Sequence, residues 1–139
     1  MSSTIWNITL ERKYIMPQNP CPFECKLVHI GINAKGTQDA NAIAKLFCTA
    51  FGLEYRPGEV SDFAGDIVEV MHENGRGENG HIGLGVYSMD EAQAWLESLG
   101  YHFLMETAKY DEEGKLKFAY IDGSFGGFAV HIARIPREA

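Results

Sequence analysis

The sequence predicts an α+β fold of two βαβββ units, and three observations predict it: an internal repeat, an amphipathic helix after each copy, and a switch to two-residue periodicity after each helix. The repeat is Val28-His29-Ile30-Gly31-Ile32, echoed 52 residues later by Gly80-His81-Ile82-Gly83-Leu84. After the first copy, Ala40, Ile43, Ala44, Phe47, Ala50 and Phe51 make one apolar helical stripe, with Thr37 as expected N-cap and Gly52 as stop. Short extended segments follow over about 54–72, broken at Pro57-Gly58 and Ala64-Gly65 and ending in Asp66-Ile67-Val68-Glu69-Val70-Met71. After the second copy, Ser88 and Glu91 have capping-box spacing, Ala92, Trp95, Leu96 and Leu99 form the stripe, and Gly100 ends it. Three strands are expected over about 102–134, the first two joined by the turn Asp111-Glu112-Glu113-Gly114. A twofold βαβββ repeat places helices over one face of a sheet. The first module spans about 26–78 and the second about 79–134, within a single domain over 25–139. Residues 1–24 match neither copy and read as an N-terminal arm, with one short strand at Trp6–Leu10 and an irregular linker over Pro17–Pro22.

Composition bounds the function. The 139 residues are 45% apolar and 22% charged, which suits one globular domain. Nineteen acidic against twelve basic residues give a net charge of -7, which argues against a nucleic-acid partner. There is no apolar run of roughly 18 residues and no secretion signal, so no membrane partner and a cytoplasmic location are expected. Three cysteines, Cys21, Cys25 and Cys48, make no disulfide framework, and the lone Cys21/Cys25 pair makes no structural zinc site. Without a secretion signal the Asn7-Ile8-Thr9 sequon carries no weight. Gly75-Arg76-Gly77-Glu78-Asn79-Gly80 spells GxGxxG but opens onto a strand, leaving no helix N-terminus for a pyrophosphate, so it reads as a turn. No serine nucleophile elbow is present.

Side chains alternate across a strand, so parity sorts each strand into two faces. Val28, Ile30 and Ile32; Val68 and Val70; Ile82, Leu84 and Val86; and Phe128, Val130 and Ile132 belong under the helices. The opposite parity carries His29, Gly31 and Asn33; Ile67, Glu69 and Met71; His81, Gly83 and Gly85; and Ala129, His131 and Ala133. A lone histidine on a strand is ordinarily a satisfied polar residue, and His72 and His102 are read that way, as surface or satisfied local groups. Four strands agreeing in parity argue for more. Glycine in a strand marks close approach of another group, and imidazole and carboxylate are ordinary ligands of divalent metals. His29, Glu69, His81 and His131 are therefore the candidate metal ligands, one from each of four strands.

At these residues the chain resembles the vicinal oxygen chelate superfamily, which includes glyoxalase I, extradiol dioxygenases, methylmalonyl-CoA epimerase and bleomycin-resistance proteins. The resemblance covers about 26–134 and implies paired βαβββ modules in a U-shaped mixed sheet, with helices on the outer face. It implies a metal held by the first and last strands of each module, where His29, Glu69, His81 and His131 stand. The His, Glu, His order is similar to glyoxalase I, but His131 replaces the usual fourth glutamate. The extradiol pattern also differs, because its carboxylate belongs in the second module. The chain further resembles the domain that follows the barrel of some bacterial 2-dehydro-3-deoxyphosphogluconate aldolases. The shared words are His29-Ile30-Gly31-Ile32-Asn33, Phe63-Ala64-Gly65, Glu69-Val70-Met71, Asn79-Gly80-His81-Ile82, Ala108-Lys109-Tyr110-Asp111 and Gly126-Gly127-Phe128-Ala129-Val130-His131.

The resemblance implies a divalent cofactor (zinc, nickel, iron or manganese) and a lyase or isomerase acting on a small oxygenated metabolite: a 2-oxo acid, hydroxyketone or sugar acid. Two vicinal oxygens would chelate the ion, and an enediolate would form as a neighbouring C–H proton leaves. Glu69 is the first candidate base and His131 the second. Asn33, Lys109 and Tyr110 are candidate substrate-binding residues, although Lys109 and Tyr110 also read as a charged strand end. The alternative is a non-catalytic small-molecule-binding or regulatory domain, whose mark would be an aromatic cavity without a complete ligand set; an apo scaffold that merely retains its polar residues is a third reading. A homodimer is expected, with Ile5, Trp6 and Leu10 lying on the neighbour.

Overall fold

A computed structural model describes residues 20–73 and 75–138. Among these the elements are β1 (Lys26–Asn33), α1 (Thr37–Phe51), β2 (Tyr55–Arg56), β3 (Ser61–Ala64), β4 (Val68–Met71), β5 (Gly80–Val86), α2 (Met89–Ser98), β6 (Phe103–Tyr110), β7 (Leu116–Ile121) and β8 (Phe128–Arg134). The strands form one eight-stranded mixed sheet in the order β2-β3-β4-β1-β5-β8-β7-β6. β1 runs parallel to β4 and β5 parallel to β8, while β1 and β5 meet antiparallel at the centre. Each half therefore repeats the other's local order, with a pseudo-twofold axis between β1 and β5. This is the α+β pairing of βαβββ units that the repeat predicts, and both helices pack on one face.

Each helix builds its own core. Under α1, Ala40 and Ala44 meet Ala64, Val68 and Val70, with Ile32, Ile43 and Phe47 packed against them. Under α2, Met89 and Ala92 join Val86, Phe103, Ala119, Ile121, Val130 and Ile132. Two small residues let α1 lie close on the sheet, because alanine adds little between helix axis and strand. Ala50 and Phe51 fall off the expected stripe: both are exposed, Phe51 by 70%.

The helix ends differ from one another. At α2, Ser88 accepts from the Glu91 backbone N–H at 3.1 Å, as the capping-box spacing predicts. At α1 the N-cap is Gly36, not Thr37, and no side chain caps it; Asp39 instead accepts from the Lys35 N–H at 2.9 Å. Gly52 closes α1 in the left-handed conformation, its N–H donating to the Cys48 carbonyl.

One parity reading fails. The β1–β5 register shifts between Leu27 and His29, so Leu27 pairs with Leu84 on the helix side. A β carbon at Gly85 would touch Val28, which puts Val28 on the histidine side of the sheet. A bulge accounts for this, since an extra residue sends two neighbours to the same side.

The Trp6–Leu10 strand, the sequon and the proposed contact through Ile5 and Trp6 lie outside the described residues. Phe23, from the segment preceding β1, packs on the α2 core. No helix among the described residues is long and apolar enough to cross a membrane.

Candidate metal centre

The four central strands, β4, β1, β5 and β8, each bring one candidate ligand to the sheet face opposite the helices. Pairing sets them in two rows. Glu69, Gly31 and His81 are register partners across β4, β1 and β5, and His29, Gly83 and His131 across β1, β5 and β8. In each row a glycine separates two ligands, and the pseudo-twofold axis exchanges the rows. The glycines leave room for imidazole. A β carbon at Gly31 would overlap the His81 ring, and one at Gly83 would overlap His131 and come within 3.3 Å of His29. The cavity expected from these glycines is thus filled by histidine rings as its floor.

The imidazoles converge through their Nε2 atoms. His29 lies 3.0 Å from His81 and 3.3 Å from His131. Glu69 Oε1 is 3.1 Å from His81 Nε2 and 3.4 Å from His29 Nε2, while Glu69 Oε2 accepts from Ser61 Oγ at 2.7 Å. The three histidine donors form a compact set able to hold an ion. A tetrahedral ion bonded at about 2.0–2.1 Å would space neighbouring donors roughly 3.3 Å apart, so the observed separations suit it.

Electrostatics agree with the geometry. Burial, reinforced by His29 and His81, pushes His131 down to about 3. Burial also lowers His29, opposed by Glu69 and aided by His81. Both rings are therefore neutral at neutral pH, with lone pairs free for an ion. Burial alone would raise Glu69, but hydrogen bonds from His81 and Ser61 and the nearby His29 hold it below its ordinary range. The second ring nitrogens, Nδ1 of His81 and His131, are buried without a partner. Metal-binding imidazoles ordinarily have that nitrogen held by an acceptor. Here packing orients the rings instead, with His131 4.6 Å from the Phe118 ring and 5.2 Å from Tyr120.

Above this floor lies a cavity of about 630 Å³, walled by Phe63, Met71, Arg76, Lys109, Phe118 and Tyr120. Lys109 is in the wall, while Tyr110, the next residue, is 52% exposed and outside it; the β6–β7 register shifts here, and Glu106 to Lys109 all line the cavity. Asn33 does not line the cavity; its Nδ2 donates to the Gly77 carbonyl at 2.8 Å, tying down the 75–79 loop. Arg76, Phe118, Tyr120 and Ser61 were not among the candidates. Alternation along β7 would have found Phe118 and Tyr120, since Ala119 and Ile121 are buried on the opposite face. Arg76 has no such signal, because its direction depends on a loop. Of the two histidines set aside, His72 is buried and paired with Asp62 at 3.0 Å, and His102 is exposed.

No family model matches the sequence, and no curated protein resembles it significantly. Solved structures do. A hypothetical protein from Bacillus halodurans C-125 superposes with a TM-score of 0.56 at 19% identity, covering 84% of this chain and 98% of its own. A Streptomyces coelicolor methylmalonyl-CoA epimerase variant in complex with 2-nitronate-propionyl-CoA gives 0.55 at 16%, covering 82% and 100%. Methylmalonyl-CoA epimerase from Mycobacterium tuberculosis gives 0.53 at 14%, covering 91% and 96%. Such identities speak to architecture alone, and with the paired βαβββ units they show that this chain has an α+β glyoxalase-like fold.

Proposed function

We propose that the chain is a divalent-metal-dependent isomerase or lyase acting on a small oxygenated metabolite. The observation that carries this reading is the convergence of three imidazoles at the floor of a cavity, with Glu69 Oε1 beside two of them, His81 and His29. His29, Glu69, His81 and His131 would hold the ion; zinc, nickel, iron and manganese all suit imidazole with carboxylate. When bound, the ion supplies Lewis acidity, favouring charge build-up on a substrate oxygen as a neighbouring C–H proton leaves.

The chain's own groups do the rest. Glu69 is the assigned base: it is the carboxylate of the cluster, Ser61 holds Oε2, and Oε1 would take the proton on leaving the ion's coordination shell. Positioned proton transfer of this kind contributes typically about 10²–10⁴ in rate. His131, neutral and buried, is the second candidate. Phe63, Phe118 and Tyr120 give the cavity apolar walls around the polar floor. The resemblance to the aldolase-associated domain favours 2-oxo acids and sugar acids over thioesters. Because aromatics wall the cavity, binding without turnover is the second reading.

The test is elemental mass spectrometry on the dialysed, untagged protein beside a His29→Ala/His81→Ala double variant. Near-stoichiometric metal that vanishes in the variant is expected. A wild type that stays empty after incubation with each ion would overturn the metal reading. Progress curves with 2-oxo acids, hydroxyketones and sugar acids then separate the two functions, since flat curves with metal bound favour the binding module.

A further inference from the structure

Two cations line the cavity, each seated on an aromatic ring beside the ligand cluster. Arg76 Cζ lies 4.9 Å from the Tyr120 ring centre, and Lys109 Nζ lies 4.7 Å from that of Phe118. Tyr120 and Phe118 both flank His131, so each cation stands about one ring beyond the candidate metal position. Neither makes a hydrogen bond or ion pair among the described residues, although Glu106 lines the same cavity. Glu69 is already engaged by Ser61, His81 and His29. In a chain of net charge -7, the cavity thus sets two cations, Arg76 and Lys109, against two carboxylates, Glu69 and Glu106, and an entering divalent metal would leave it net positive.

The loop carrying Arg76 is built to hold it there. Asn33 grips the Gly77 carbonyl from the end of β1, and the Asn79 N–H donates to Gly127 at 2.8 Å, anchoring the loop to the β7–β8 connection. Gly77 has φ +82°, and a β carbon there would overlap the Gly80 carbonyl. A side chain at Gly75 would displace Asn33. The glycine spacing that mimics a phosphate loop therefore serves to aim an arginine. The guanidinium lies over the Tyr120 ring and its N–H groups have no partner among the described residues, which leaves them available to grip a carboxylate in bidentate fashion.

We infer that Arg76 and Lys109 form an anion clamp, and that the substrate carries a carboxylate a few bonds from the oxygens that meet the metal. The inference rests on the metal reading above and narrows it to acidic substrates.

Three ligands with the same chelating head test it, titrated calorimetrically into metal-loaded protein: acetohydroxamate and the monohydroxamates of succinic and glutaric acid. At least one carboxylate-bearing ligand should bind about tenfold tighter than acetohydroxamate, the scale of one hydrogen bond to a charged group. Arg76→Met should erase most of that margin, Arg76→Lys should keep part, and Lys109→Met should reduce it by roughly threefold. Unchanged acetohydroxamate binding in every variant shows that the chelating site is intact. Equal affinities in wild type, or an unaltered margin in Arg76→Met, overturn the clamp. If no metal enters and acetohydroxamate does not bind, the metal reading fails by itself. The clamp is then judged by glutarate binding to the metal-free protein, followed by NMR shifts: about tenfold weakening in Arg76→Met supports it, and no binding or equal binding overturns it.

Discussion

Two histidine–carboxylate groups lie on opposite faces of the same half-sheet, and they differ in what is left over. Behind β3, under α1, Asp62 is fully buried and pairs with His72 at 3.0 Å. It also accepts from Tyr55 at 3.1 Å, from Asn41, and from the Gly58 N–H at 3.3 Å. In front of the sheet, Glu69 pairs with His81 at 3.1 Å, but its Oε1 is shared with His29, while His131 brings a third nitrogen that meets only that of His29, at 3.3 Å. Both carboxylates are held below their ordinary range against burial, chiefly by hydrogen bonds that include one from a histidine. The pair alone therefore does not mark a site. Asp62 has no free capacity and pins α1 to β3, whereas the Glu69 cluster has surplus lone pairs facing a cavity.

The contrast yields predictions of decreasing size. Gly31→Ala should be the most damaging to metal binding, because its β carbon overlaps the His81 ring; metal content after dialysis should fall to near zero. Retention of stoichiometric metal would mean that packing does not orient that ring. Asp62→Ala should cost about 3–5 kcal/mol of stability in urea unfolding, the loss expected when a buried pair loses one partner. The folded fraction should still bind metal fully, and a loss of both would erase the distinction between the two groups. Ser61→Ala should weaken metal affinity by about 10–100-fold while changing stability little, as for other groups that orient a ligand. Competition with a chelator reads it.

The smallest effect is with pH. His131 sits near 3 when folded against 6.5 ordinarily, and His29 is also lowered, so the unfolded chain binds more protons below about 6.5. Stability of the metal-free protein should be full above that pH and decline as pH falls towards 3. Glu69, lowered from 4.5, adds stability above that value which is lost as pH falls through its folded value, so the two trends reinforce. Urea midpoints at pH 7.5 and 5 should separate in wild type and draw closer in His131→Phe, where His29 keeps part of the gap. An equal gap in both would show that His131 does not drive the acid loss.

Much of the fold and the four-strand cluster were legible because both depend on local periodicity. The repeat marks β1 and β5, and alternation puts His29, Glu69, His81 and His131 on one face without knowledge of which strands adjoin. What escaped depends on contacts distant in sequence. Val28 changes face through a bulge that no residue type announces. Arg76 points into the cavity because Asn33, more than forty positions earlier, holds its loop. His72 reads as an isolated polar residue until Asp62 is placed behind it.

The exchange of space across the central seam has a consequence for how the two halves can exist. His81 belongs to the second half but occupies room vacated by Gly31 of the first, and His29 of the first lies over Gly83 of the second. Neither half owns a finished binding point: each supplies two ligands, Gly31 of the first makes room for His81 of the second, and Gly83 of the second makes room chiefly for its own half's His131. Changes at one seam position must therefore be answered across it, so the halves are free to drift at their outer strands and bound to vary together at β1 and β5. Fragments covering 26–78 and 79–138 would recover the cluster only by re-forming that seam, and a tandem of two first halves would supply the Gly31 gap twice while doubling the carboxylates.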